Sequence, residues 1–259
     1  MRRRIAALLA GLLLAAPSLQ ARDWPTVRVG IEAAYPPFSA KDAAGQLVGF
    51  DVDIANALCA EIHASCVFVV QEWDGMIPAL QARKFDAVIS SMASTPERER
   101  VVAFTGKYYN GPARFVARQG SHWDYSPEGL AGRRIGVPIA TIFDRYVTDF
   151  YEKRGVQVTR YAKQADVFLD LAAGRIDTTL ADVVTAKESF LKTPLGAGFE
   201  LQGPELYDAQ YFGKGAAIAT RKTDLDLRDK LDAAIKAIRA NGTYDRIRKK
   251  YFDYEIWGK

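Results

Sequence analysis

From residue 27 onward the chain alternates short apolar runs with amphipathic segments, and this alternation restricts its fold more than any single motif. Residues 27–31 (Val-Arg-Val-Gly-Ile) read as a strand, and 51–62 as a helix with Ile54, Ala55, Leu58, Cys59 and Ile62 on one face. Strand 67–71, helix 75–83 and strand 85–90 follow, and another helix opens at Pro96. This is the βαβ rhythm of an open, largely parallel sheet. Asn110-Gly111-Pro112-Ala113 interrupts it. It then resumes as strand 134–137, helix 142–155, strand 158–161, helix 165–173 ended by Gly174, and strand 176–180. A second break spans 203–215, and a long amphipathic helix over 224–240 stops at Asn241-Gly242 with a shorter helix behind it.

The 259 residues are 49% hydrophobic and 25% charged, a globular balance that suits one large domain or two modest ones. Residues 1–21 are expected to stand outside it. Arg2-Arg3-Arg4 forms a positive n-region, 5–16 a short apolar run, and Ala21 a small residue at the cleavage position of a secretory signal peptide. The run is too short to span a bilayer comfortably. No cysteine stands near Ala21 to carry a lipid, and no later segment is long and apolar enough to cross a membrane. Without those three arginines the formal charge falls from +4 to +1. The positive balance therefore does not signal nucleic acid, and no basic stripe with interleaved aromatics is present. Export would place Cys59 and Cys66 in an oxidising compartment, where such a close pair usually bridges. A metal or redox site is the alternative, although zinc needs more ligands than the nearby His63 supplies.

The segment Ser90-Ser91-Met92-Ala93-Ser94-Thr95-Pro96-Glu97-Arg98 follows an apolar strand and carries two hydroxyls, an N-cap at Thr95 and a proline at the first helical position. Arg98 in the first turn opposes the helix dipole, unless a small anion such as a carboxylate sits among the hydroxyls, the N–H groups and the guanidinium. An internal echo points the same way. Leu80-Gln81-Ala82-Arg83-Lys84-Phe85-Asp86 repeats in pattern as Leu171-Ala172-Ala173-Gly174-Arg175-Ile176-Asp177, one leading to Ser90-Ser91 and the other to Ala181-Asp182. Ligands of open α/β sheets bind at the carboxyl ends of strands. Other strand ends carry Glu32 and Tyr35, Trp73, and Thr141, which has Asp144 three residues on as a capping partner.

Together these groups suit a zwitterion with a cationic tail. Arg98 would hold a carboxylate in bidentate fashion, Thr141 would offer a helix start, and Asp182 would accept from an α-ammonium. Glu32 would neutralise a distal cation, with Tyr35 and Trp73 sandwiching the chain between. Each residue also has a plainer reading: Arg98 on a solvated face beside Glu97, Glu99 and Arg100, Ser90 and Ser91 ending a strand, Thr141 and Asp182 as caps, Tyr35 and Trp73 in the core, Glu32 at the surface. His63 and His122 have no catalytic partner in sequence, and Glu97, Glu99 and the acidic stretch 224–232 read as solvated faces.

Several further motifs run along nearly the whole chain behind residue 21: Gly49-Phe50-Asp51-Val52-Asp53-Ile54-Ala55, Val27-Arg28-Val29-Gly30, Tyr35-x-Pro37-Phe38, Ile77-Pro78-x-Leu80, Phe85-Asp86-Ala87, Tyr211-Phe212-Gly213 and Asn241-Gly242-Thr243-Tyr244. With the Ser90-Ser91…Arg98 segment, they make the chain resemble the periplasmic solute-binding proteins of polar amino-acid ABC transporters (bacterial solute-binding protein family 3), nearest the lysine/arginine/ornithine and histidine binders. The resemblance implies an α/β, two-lobed periplasmic-binding-protein fold of type II, each lobe an open sheet flanked by helices, joined by a two-strand hinge that closes on ligand. It places one lobe at 22–110 plus 210–259 and the other at 112–208. It implies a disulfide between Cys59 and Cys66. It places Arg98 and Ser91 on an α-carboxylate with Thr141 and Ile142, Asp182 on the α-ammonium, Tyr35 and Trp73 on the side chain, and Glu32 on the distal cation. It implies no enzyme activity, no cofactor and no metal, a monomer, and delivery of a basic amino acid (arginine, lysine, ornithine or histidine) to an inner-membrane permease and its ATPase.

The chain departs from the pattern in places. Glu32 is longer than the usual Asp, Trp73 replaces a commoner Phe, Ala93 stands where a Ser often contacts ligand, Pro138-Ile139-Ala140 replaces a Gly-containing run, and Phe143 stands at a commonly polar position. Glu and Trp at those first two sites also resemble opine binders, so an amino-acid derivative is an alternative ligand. Dehydratases similar to these binders make an enzyme the second alternative, with Glu32 as its one candidate acid or base. A sensory ectodomain would need a second membrane segment, which the sequence lacks.

Overall fold

The computed structural model describes residues 23–258; the expected signal peptide lies outside them. The chain first forms β1 (Thr26–Ile31), β2 (Ala34–Tyr35), β3 (Ser39–Lys41), β4 (Leu47–Val48), α1 (Phe50–Glu61), β5 (Ser65–Val70), α2 (Met76–Gln81), β6 (Ala87–Val88), α3 (Pro96–Glu99) and β7 (Ala103–Tyr109). It continues with β8 (Ala113–Arg118), β9 (Arg134–Pro138), α4 (Ile142–Phe150), β10 (Gln157–Tyr161), α5 (Gln164–Ala172), β11 (Thr178–Asp182), α6 (Val183–Ala186) and β12 (Phe199–Leu206). It ends with α7 (Ala209–Phe212), β13 (Ala216–Thr220), α8 (Leu225–Ala240) and α9 (Thr243–Tyr251).

Two five-stranded sheets result, ordered β5-β1-β6-β13-β7 and β10-β9-β11-β8-β12, with β2, β3 and β4 forming a small meander. The sheets are mixed rather than largely parallel. In each, three strands pair in parallel and two more pair antiparallel. The antiparallel strands flank the two sequence breaks, where the chain passes from β7 to β8 and back from β12 to β13. Both faces of each sheet are covered. Ala87 and Ile218 face one cluster while Val88 and Ala219 face another, and Phe115 and Leu180 alternate in the same way with Val116 and Ala181. Burial on both faces explains why these strands are apolar throughout.

Helix periodicity accounts for the packing of the first sheet. Leu227, Leu231, Ala234, Ile235 and Ile238 form the buried stripe of α8, and Ile54, Ala55, Leu58 and Cys59 that of α1. Each such Leu or Ile contributes about 1.5–3 kcal/mol by leaving water. The acidic start of α8 is less solvated than expected. Asp224 is buried against Arg221 at 2.6 Å, Asp226 accepts from the Trp24 indole N–H, and Asp232 accepts from the Gly106 N–H. Two helices are shorter than their patterns. α4 ends at Phe150, followed by a separate turn over Glu152–Arg154 that closes at the left-handed Gly155. The helix at Pro96 is a single turn.

The internal echo is structural. Asp86 and Asp177 occupy matching positions before β6 and β11. Each carboxylate accepts from the side chain and the backbone N–H of the arginine in the adjacent first strand, Arg28 and Arg134 respectively. Each arginine is followed two residues on by a glycine with no room for a side chain. A Cβ would lie 2.5 Å from the Phe85 ring at Gly30 and 2.4 Å from Ile176 at Gly136.

Cys59 in α1 and Cys66 in β5 are joined as a disulfide, with Cα atoms 5.8 Å apart. The bridge ties a helix end to the edge strand of the first sheet. Replacing both cysteines by serine is expected to lower the unfolding free energy by about 2.5 kcal/mol, the chain-entropy value for so short a loop. Urea denaturation of the variant with an unchanged midpoint would contradict that.

Candidate functional site

A cavity between the two sheets is lined by all ten residues expected at a ligand site: Glu32, Tyr35, Trp73, Ser90, Ser91, Ala93, Arg98, Thr141, Ile142 and Asp182. The topology explains the convergence. Each of the six parallel strands delivers cavity residues just past its carboxyl end: Glu32 after β1, Trp73 after β5, Ser90 and Ser91 after β6, Thr141 after β9, Gln164 after β10, and Asp182 at the end of β11.

Arg98 is half-buried. Its Nη1 donates to the Ala93 carbonyl at 3.1 Å, and its guanidinium carbon stands 5.2 Å from the centre of the Trp73 ring. Burial lowers its pKa to about 10, with Glu97 pulling upward and Arg145 downward, so it stays charged at neutral pH. The neighbouring Glu97 pairs with Arg145 of α4 rather than with Arg98. Opposition to a helix dipole does not explain Arg98. Thr95 does cap the helix, accepting from the Arg98 N–H at 3.3 Å, but a one-turn helix has no dipole worth opposing. The bonds to Ala93 and Trp73 hold the cation in place.

Ser90 and Ser91 differ in what they can offer. The Ser90 hydroxyl accepts from the Glu32 N–H at 3.0 Å, and its own proton has no acceptor among the described residues. The Ser91 hydroxyl donates to Asp51 at 2.9 Å, and its N–H donates to the Tyr108 hydroxyl at 2.8 Å. Tyr108 in turn donates to the other oxygen of Asp51 at 2.9 Å. Ser91, in the left-handed region at φ 54°, is thus locked by a fully buried carboxylate from the first turn of α1, and its proton is committed while Asp51 is ionised. With Asp51 ionised, that hydroxyl has no second proton to give a carboxylate. Asp51 was visible only as part of a motif, because its partners lie 40 and 57 residues away.

Both proposed caps are caps, and both face the cavity. Thr141 accepts from the Asp144 N–H and donates to the Pro138 carbonyl, which occupies its hydroxyl and leaves the α4 start to act through its backbone. Asp182 accepts from the Thr185 N–H at 3.0 Å. Burial raises its pKa to about 6 against the pull of that and neighbouring bonds. Gly111, in the first crossing, allows the chain to pass close by: a Cβ there would lie 2.9 Å from an Asp182 oxygen. Glu32 is 8% exposed. Its pKa is pushed up to about 7, by burial first and Glu72 second, with Lys163 opposing.

Direct bonds join the lobes across the cavity rim. The Trp73 indole donates to the Ala140 carbonyl at 3.1 Å, Thr185 donates to the Tyr35 hydroxyl at 2.8 Å, Ser189 donates to the Pro36 carbonyl, and Arg145 pairs with Glu97 at 2.6 Å. The lobes are closed. Phe143 and Phe212 form an apolar wall, with ring centres 6.4 Å apart. Gln164, Tyr109 and Phe212 also line the cavity, and Gln164 lies just past strand 158–161, where the same strand-end position marks it in the sequence.

The family model described as "Bacterial extracellular solute-binding proteins, family 3" matches residues 27–254. The chain is 51% identical over 254 residues to the L-arginine-binding protein of Pseudomonas aeruginosa, an alignment covering 97% of this chain and 98% of that relative. It is 41% identical over 251 residues to the lysine/arginine/ornithine-binding periplasmic protein of Escherichia coli, covering 97% and 96%. Among solved structures, an ancestral arginine-binding protein bound to arginine matches with a TM-score of 0.80 at 34% identity, covering 88% of this chain and 98% of that one.

The raised acids carry a consequence for stability. An acid whose pKa rises on folding binds its proton more tightly in the folded chain, so its contribution favours the fold at low pH and is lost as pH climbs through the raised value. Glu32 and Asp51 at about 7 and Asp182 at about 6 place that window between the ordinary carboxylate range and pH 7. With the lobes closed as in this structure, the protein is therefore expected to melt at a higher temperature at pH 5.5 than at pH 8, and Glu32→Gln to flatten the difference. Thermal melts showing greater stability at pH 8 would contradict the assignment.

Proposed function

The chain belongs to family 3 of the bacterial extracellular solute-binding proteins, and on that premise we propose that it is the substrate-binding component of an ABC transporter. It holds a basic amino acid between its lobes and delivers it to an inner-membrane permease and its ATPase. The observation that carries this reading is the meeting of Arg98, Asp182 and Glu32, withdrawn from water, in one cavity. One cation against two anions leaves the site short of positive charge. A zwitterion with a second, distal cation supplies the complement.

Arg98 takes the α-carboxylate, supported by Ser90 and by the backbone at Thr141 and Ile142. Asp182 takes the α-ammonium, with Ser91 as an acceptor beside it. Tyr35 and Trp73 flank the side chain, and Glu32 meets the distal charge. Ala93 contributes through the carbonyl that steadies Arg98. Arginine is placed first among the ligands because a relative named for L-arginine is 51% identical along nearly the full chain. In this reading residues 1–21 are a cleaved signal peptide and the mature protein works as a monomer in the periplasm. Residues 22–110 with 210–259 form one lobe and 112–208 the other. Ligand bridges the lobes and shifts an open–closed equilibrium, and the permease recognises the closed form.

Thermal-shift and calorimetric titration of the mature chain with arginine, lysine, ornithine and histidine tests the reading. A ligand at 100 times its Kd is expected to add about 2.7 kcal/mol of stability. Failure of all four to bind contradicts it; a response confined to opines, or turnover of a cyclohexadienyl acid, would move the chain to another ligand or to an enzyme. Arg98→Ala is expected to abolish binding of every α-amino acid. Glu32→Gln is expected to weaken cationic ligands by about tenfold or more and neutral ones far less. Because only ionised Glu32 attracts the cation, arginine affinity is expected to rise from pH 6 to pH 8, opposite in slope to ligand-free stability, and to lose most of that rise in Glu32→Gln. Calorimetry showing equal affinity at both pH values would remove Glu32 from this role.

A further inference from the structure

Trp73 stands just past β5 in one lobe, and its side chain acts in two directions. Its ring lies 5.2 Å from the guanidinium carbon of Arg98 in its own lobe, and its indole N–H donates to the Ala140 carbonyl of the other lobe at 3.1 Å. Ala140 is an unusual acceptor. It is held in the left-handed region at φ 59°, which a residue with a side chain seldom adopts and which persists only where the surroundings enforce it. Those surroundings are visible. The Ala140 N–H donates to Asp144 at 3.0 Å, and Asp144 is itself paired with Arg160 at 2.8 Å. On either side, the Ile139 N–H donates to the Tyr161 carbonyl at 2.9 Å and the Thr141 hydroxyl to the Pro138 carbonyl at 2.7 Å. The second lobe thus aims the Ala140 carbonyl across the cleft. The peptide that carries this carbonyl also carries the N–H of Thr141, the N-cap of α4. In a planar trans peptide the two groups point in opposite directions, so the bond from Trp73 fixes both.

We propose that Trp73 is a positioning residue for the ligand α-carboxylate: by holding the Ala140 carbonyl across the cleft, its indole N–H directs the Thr141 N–H and sets the α4 start at a fixed distance from Arg98. The proposal rests on the basic-amino-acid reading above, which gives the carboxylate to Arg98 and to the backbone at Thr141 and Ile142, and it adds what keeps those two receivers in register. One side chain steadies the guanidinium of one lobe and the helix start of the other. A phenylalanine at position 73 would keep a ring beside Arg98 and the ligand chain but has no donor for Ala140. The positioning role is therefore separable from ring contact with the ligand.

Calorimetry on the mature protein with arginine, lysine and agmatine, the arginine analogue without an α-carboxylate, compares wild type with Trp73→Phe. The variant is expected to bind arginine and lysine about fivefold more weakly, by equal factors, through loss of one hydrogen bond between neutral groups. Agmatine is expected to lose less than about twofold, because it presents nothing to the α4 start. The ligand-free melting temperature is expected to stay unchanged, since Trp73 is only partly buried at the rim. Benzothienylalanine at position 73, a ring of the same shape with sulfur in place of the N–H, is expected to reproduce the loss. An unchanged arginine Kd in both variants overturns the proposal. An equal loss for agmatine also overturns it, because Trp73 would then act on the ligand chain or on packing rather than on the carboxylate. A wild type that binds neither arginine nor lysine overturns the basic-amino-acid reading itself, and this role of Trp73 with it.

Discussion

The withdrawal of Arg98, Asp182 and Glu32 from water at one interface governs the rest of the structure. Charges in such a place are costly unless they are paired or bonded, and each here is steadied by neutral groups. The Ala93 carbonyl and the Trp73 ring hold Arg98, the Thr185 N–H holds Asp182, and Glu32 is positioned by its own N–H on Ser90. These contacts fix geometry without neutralising charge. In the proposed reading the groups stay available to a ligand of opposite sign, and the raised acid pKa values record the cost of burying them.

The architecture that makes this possible is a duplicated sheet. Three parallel strands in each lobe share one order, one arginine–aspartate clamp and one glycine without room for a side chain. Two such sheets with their carboxyl ends facing place six strand ends around one cavity. The chain crosses between them at 110–112 and again after β12; in the proposed reading either lobe pivots there while the strand ends stay aimed at the ligand. The rim contacts between Trp73 and Ala140, Tyr35 and Thr185, and Glu97 and Arg145 are few and mostly exposed. Contacts of that kind stabilise a closed state modestly and leave the larger share of closure to whatever bridges the charges.

Much of this was legible in the amino-acid sequence because it is local. Strand–helix alternation, the caps at Thr95, Thr141 and Asp182, and the polar residues just past apolar runs all depend on neighbours within a few positions. The strand-end rule alone finds Glu32, Trp73, Ser90, Thr141 and Asp182. What escaped depends on partners far along the chain. The commitment of the Ser91 proton to Asp51, the pairing of Glu97 with Arg145 and the burial of Asp224 on Arg221 are tertiary facts with no local signal. The antiparallel strands β7, β8, β12 and β13 flank Gly- and Pro-rich breaks that masked their pairing. Arg98 was found for a reason that fails, since its helix is one turn long; it matters because its carbonyl and ring partners aim it into the cavity.

The central claim is that one ligand must present a carboxylate to one lobe and an ammonium to the other while its tail reaches Glu32. The most direct measurement is a calorimetric comparison of arginine with agmatine, which keeps the guanidinium and chain but lacks the α-carboxylate. Agmatine is expected to bind at least about a hundredfold more weakly, the loss of a bidentate charged pair with Arg98. Agmatine binding within about tenfold of arginine would contradict it, because Arg98 would then contribute little to what the cavity holds.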